Sequence, residues 1–89
     1  MKLTRHTQQK LQDILKSQEY VIRYEKGNFA GGYCMVMDKK LIIINKFHPL
    51  EGKINTLMEI IRTLDINQEH LTPDQVKIVN QVKTSPSQA

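Results

Sequence analysis

Residues able to do chemistry are few in this 89-residue chain and widely spaced. The single thiol, Cys34, has no histidine near it in sequence. No helix start precedes it to lower its pKa, so it reads as a buried, inert cysteine. His6, His48 and His70 are far apart, and no two share the one-turn spacing with which a helix presents a pair of metal ligands. Asp38, Glu51, Glu59 and Asp65 supply carboxylates, but no pair has an arrangement that suggests acid–base work. Glu59 and Arg62, three apart, suit a surface ion pair. The expectation is a protein without catalytic residues, metal or cofactor.

Three of the four glycines fall in "KGNFAGGYC", Lys26–Cys34. A phosphate loop of the Walker type needs Lys-Ser/Thr after its last glycine and then a helix, and a dinucleotide fingerprint needs Gly-x-Gly-x-x-Gly before a helix. Gly27, Gly31 and Gly32 match neither, and β-forming "YCMVM" follows them. A connection between antiparallel strands accounts for them more simply. Gly27-Asn28 tolerates positive φ, and Gly31-Gly32 suits a bulge.

The remaining candidate is a surface. Lys26, Lys39, Lys40, Lys46 and Lys53 gather around this segment and the next helix start, with Tyr24, Phe29, Tyr33 and Phe47 nearby. Lysines interleaved with aromatics can bind single-stranded nucleic acid through phosphates and stacked bases. They equally solubilise strand edges and turns. A net charge of +4 permits such contact without demanding it.

The elements that must position these residues can be read from periodicity. Thr4 caps a helix to Gln18, with Leu11, Ile14 and Leu15, joined by Thr7, as a narrow stripe. "YVIRYE", Tyr20–Glu25, alternates as a half-buried strand, and "YCMVM" is a second strand. Asp38–Lys40 turns the chain into "LIIIN", Leu41–Asn45. That strand is apolar on both faces and so is expected to be the central or best-covered one. After Pro49, Ile54, Leu57, Met58, Ile61 and Leu64 recur at helical spacing, widened by Leu50 and Ile60. Thr72-Pro73-Asp74-Gln75 is a capping box opening a short helix to about Lys83. The expected fold is α+β: a helix, a three-stranded antiparallel meander, a long helix across the sheet and a short C-terminal helix. Residues 1–83 form one domain and 84–89 a disordered tail.

Composition adds bounds. Hydrophobic residues make up 39%, enough for one modest core. A core that small often recruits a partner, so a homodimer is expected. One cysteine forms no internal disulfide, no apolar leader opens the chain, and no apolar run approaches bilayer length. These features point to the cytoplasm.

The string "EKGNFAGGYCMVMDKKLIIINKFHPLEGKINTLMEII" resembles a family of small, functionally uncharacterised proteins from Bacteroidetes-type bacteria, a resemblance that implies no particular activity. More distantly, "IIIN", then Pro49, then Thr56-Leu57 is similar to the core of ImmA/IrrE-type zinc metallopeptidases. Those carry His-Glu-x-x-His on the corresponding helix. Here the five positions read Glu59, Ile60, Ile61, Arg62 and Thr63, so the resemblance implies a scaffold without the metal or the hydrolysis. The function expected is a non-catalytic protein-interaction or regulatory module. The alternative is a nucleic-acid-binding protein using Lys26, Phe29, Lys39, Lys40, Lys46 and Lys53.

Overall fold

A computed structural model describes residues 2–26 and 33–84. Helix α1 spans Arg5–Ser17 and starts where Thr4 accepts a hydrogen bond from the Thr7 amide at 3.2 Å. It buries Thr7, Leu11, Ile14 and Leu15, the expected stripe. Its end is a Schellman turn. The Tyr20 amide donates to the Leu15 carbonyl, and the Glu19 amide donates to the Lys16 carbonyl. Glu19 therefore sits at φ 69, a position glycine would fill without strain.

Strand β1 (Val21–Glu25) follows, then β2 (Tyr33–Val36), a 3-10 turn at Met37–Lys39, and β3 (Leu41–Asn45). The strand order is β1-β3-β2. β1 runs parallel to β3, and β2 runs antiparallel to it. The class is α+β as expected, but the sheet is mixed and not an antiparallel meander. β1 and β2 are not neighbours, so they form no hairpin. The expected turn at Gly27–Gly32 lies outside the described residues.

The order has a physical reason. A meander would leave Leu41–Asn45, the most apolar strand, at an edge with half its backbone unpaired. The observed order gives β3 ladders on both sides. The short β2 and the charge-bearing β1 take the edges, where charge discourages further pairing. β2 and β3 do form a hairpin, turned by Lys40 at φ 49.

Helix α2 (Leu50–Thr63) starts after Pro49 and buries Ile54, Thr56, Leu57, Ile60 and Ile61. Helix α3 (Pro73–Thr84) opens with the reciprocal capping box. The Gln75 amide donates to Thr72 Oγ1 at 3.1 Å, and the Thr72 amide donates to Gln75 Oε1 at 3.0 Å. α3 places Val79 and Val82 in the core and is tied to α2 by polar bonds. Arg62 donates to the Val82 carbonyl at 3.2 Å, and Lys83 donates to the Leu64 carbonyl at 2.7 Å. The apolar cluster joins α1, α2 and α3 to Ile42 and Ile44 of β3.

Candidate functional site

Alternation assigns each strand residue to one of two faces. Ile42 and Ile44 are fully buried, and their partners across the ladders are Ile22, Tyr24, Tyr33 and Met35, which also pack on the core. The helices therefore cover this face. The opposite face carries Val21, Arg23 and Glu25 from β1, Leu41, Ile43 and Asn45 from β3, and Cys34 and Val36 from β2. None of its apolar residues joins the core cluster, and Val21 is 55% exposed. Met37, 56% exposed, continues the chain directly beyond Val36. One side of the sheet is thus packed on the helices, and on the other, among the described residues, Val21 is exposed while Val36, Leu41 and Ile43 are half-buried outside the core.

The open face has a graded pattern. Val21, Leu41 and Val36 make one wholly apolar row across the strands. Arg23, Ile43 and Cys34 make the next. Glu25 and Asn45 follow at the far end. Arg23 Nε and Glu25 Oε2 pair at 3.1 Å, both substantially exposed, so the pair neutralises the face more than it stabilises the fold.

Cys34 corrects an expectation. It is exposed, not buried, because its register opposite Ile43 puts it on the helix-free side of an edge strand. The signal was in "YCMV": both of its alternating sets, Tyr33/Met35 and Cys34/Val36, are apolar, and nothing local says which turns inward.

Of the six residues expected to form a partner or nucleic-acid surface, the five that are described do not form one cluster. Lys39 and Lys40 lie at the β2–β3 turn, and Lys46 follows the far end of β3, about 20 Å along the strand from Lys40. Lys40 is engaged locally: its Nζ is 3.3 Å from the Gln18 carbonyl, 3.9 Å from Glu19 and 5.6 Å from the Tyr20 ring centre. Lys26 stands beside Lys46, whose amide donates to the Glu25 carbonyl. Lys53 lies over the Tyr24 ring at 5.5 Å, on the helix side of the sheet. Phe29 lies outside the described residues. Phe47 is 67% exposed with Lys46 Nζ 5.2 Å from its ring centre.

The five helix positions Glu59–Thr63 serve other tasks. Ile60 and Ile61 are fully buried, and Thr63 donates its hydroxyl to the Ile60 carbonyl at 2.9 Å. Glu59 is exposed, and its charge adds to burial in raising the Tyr33 phenol above the usual tyrosine value. Among the described residues no three histidine, cysteine or carboxylate side chains come together as metal ligands.

Two further polar features are structural. The Tyr24 hydroxyl accepts from Gln8 Nε2 at 3.0 Å and donates to Gln12 Oε1, fastening α1 to β1. Burial pushes its phenol up, with the Gln8 bond opposing. At the other end, Gln18 and the backbone of Asn67 exchange two 2.8 Å bonds beside a polar recess of about 380 Å³ that also reaches Lys40, Asp65 and His70. Among the described residues no helix is long and apolar enough to cross a membrane. No protein-family model matches the chain, and no solved structure is significantly similar to it.

Proposed function

We propose that this chain is a small, non-catalytic protein-interaction or regulatory module, working in the cytoplasm, and that its docking surface is the open face of the sheet. One observation carries the reading. All three helices join the core that covers one side of a three-stranded sheet, and Val21, Val36, Leu41 and Ile43 are left on the other side outside that core. Exposed contiguous apolar surface is costly in water and marks an interaction site when polar groups rim it. Here Arg23, Glu25 and Asn45 supply the rim. The test is a comparison of the full chain with its Val21→Lys variant. Val21 is already largely exposed, so the variant keeps the fold. A partner identified from source cells, purified, and bound by wild type but not by Val21→Lys supports the reading. If neither self-association nor any partner depends on Val21 or Ile43, the reading is wrong.

A second reading has its own observation. Exposed Phe47, with Lys46 against its ring and Lys26 adjacent, resembles a stacking platform for single-stranded nucleic acid. Contacts through Lys26, Lys46 and Lys53 would give a log–log salt slope of roughly −2. Binding to a labelled oligonucleotide that ignores salt or survives Phe47→Ala removes this reading.

A further inference from the structure

The polar recess at the end of α1 gathers residues that break local rules. Among the described residues, two that are not glycine have positive φ, Glu19 at 69 and Lys40 at 49. A left-handed backbone strains any residue with a Cβ, and glycine fills such a position freely. Both strained residues are charged and both line the recess, with Lys40 Nζ 3.9 Å from Glu19 Oε2. Backbone strain gathers at ligand clamps, where groups are held in places that local preference would not choose. Asp65, also on the lining, is a third departure. It follows the C-terminal end of α2, where the helix dipole disfavours an acid.

The recess is built before any ligand arrives. The two 2.8 Å bonds between Gln18 and the backbone of Asn67 tie the end of α1 to the α2–α3 connection. Lys40 donates to the Gln18 carbonyl at 3.3 Å and adds the β2–β3 turn, so three separate segments are fixed against one another. Other polar groups there serve the same frame: the Ser17 hydroxyl donates to the Ile14 carbonyl, and Asn67 Oδ1 accepts from the Glu69 amide. Asp65 and His70 are different. Among the described residues neither side chain has an ion pair or a hydrogen bond.

The lining restricts the ligand. No apolar residue contributes to it, so an apolar molecule gains nothing there. A metal ion does not match, since no three suitable side chains come together among the described residues. A simple anion would face Asp65 and Glu19, and a simple cation would face Lys40. A molecule with both charges meets a partner for each. At about 380 Å³ the recess is at the small end of the range for small-molecule sites. We propose that it binds a free α-amino acid with a polar side chain. The ammonium group of the ligand pairs with Asp65. Its carboxylate takes the Lys40 donors that Gln18 leaves over, and Glu19 holds Lys40 in position. His70 gives the ligand's side chain a hydrogen-bond partner. No residue of the open sheet face lines the recess, so this site stands apart from the docking reading.

The test is an NMR titration of the full chain with each polar L-amino acid in turn, reading the amides of Gln18, Lys40 and Asn67. At least one should shift them saturably, with a dissociation constant on the order of 1 mM for so small a ligand. Propylamine and propionate, which carry one charge each, should bind about tenfold more weakly or less. Asp65→Asn and Lys40→Gly should each weaken binding about fivefold or more while circular dichroism stays unchanged. Glu19→Gly should raise the melting temperature and still weaken binding, a combination that loss of fold cannot produce. Lys39→Gln removes the same charge one residue from Lys40, off the lining, and should leave binding within about twofold. The proposal is overturned if no polar amino acid gives a saturable shift by about 20 mM. Propylamine or propionate binding as tightly as the best amino acid, or binding that survives Asp65→Asn, overturns it equally.

Discussion

Ile43 and Ile44 are consecutive in β3 and point to opposite faces, so paired substitutions test the covering of the sheet. Ile44 is fully buried in the core shared with α1 and α2. Ile44→Ala should cost roughly 2–5 kcal/mol, the transfer term plus the cavity left behind. A chain of this size has a total stability of about 5–9 kcal/mol, so that is a large share. Ile43 is only partly buried and is not packed against the core. Ile43→Ala removes methyl groups that still face water and should cost about 1 kcal/mol, including lost strand propensity. At about 4–8 °C per kcal/mol, the melting shifts separate clearly. The assay is urea denaturation near 5 μM, dilute enough that association adds little on the order of tenths of a kcal/mol. Ile43→Lys should fold and lose about as much stability as Ile43→Ala, and Ile44→Lys should not fold. Equal losses for the two alanine variants would mean the chain covers both faces itself, and the docking argument would fall.

Three smaller predictions concern the frame that holds the face. Glu19→Gly should stabilise the chain by about 0.5–1 kcal/mol, because it relieves φ 69 and gives up only an exposed contact with Lys40; thermal melting that ranks it below Glu19→Ala would refute the strain. Thr72→Ala should cost about 1 kcal/mol through the lost capping box, read as faster amide exchange at the start of α3, with α1 unaffected. Tyr24→Phe should cost roughly 1 kcal/mol at neutral pH and flatten the alkaline limb of stability. The sign follows from linkage. The folded chain holds the Tyr24 proton above the unfolded value of 10.0, so its contribution is full below that pH and is lost as pH rises through the folded value. An unchanged alkaline limb in the variant would contradict it.

Much of the frame was legible because it rests on local rules. Thr4 and Thr72 cap the helices they were expected to cap, and Leu11, Ile14 and Leu15 fall on one face because 3.6-residue periodicity leaves no other place for them. Two-sided apolarity marked β3 as the central or best-covered strand, but the expected meander left it at an edge; the mixed order puts it at the centre. The neighbour of β1 was not legible. Alternation tells which residues share a face but says nothing about which strand pairs with which, and glycines after a strand suit a hairpin or a longer connection equally. The candidate site depended on that missing fact. Which alternate set faces the helices decides whether Cys34 and Val36 or Tyr33 and Met35 are exposed, and only tertiary packing chooses. The lysines read as one surface because they are close in sequence, yet a five-residue strand separates Lys40 from Lys46.

The most direct measurement is solvent paramagnetic relaxation of the isoleucine methyl groups by NMR. In the dilute chain, a soluble paramagnet should broaden Ile43 strongly and leave Ile42 and Ile44 sharp. On concentrating the chain, or adding its partner, Ile43 should become protected. An Ile43 methyl that is shielded in the dilute chain, or one that stays exposed under every condition of association, would contradict the claim that this face is open and used for docking.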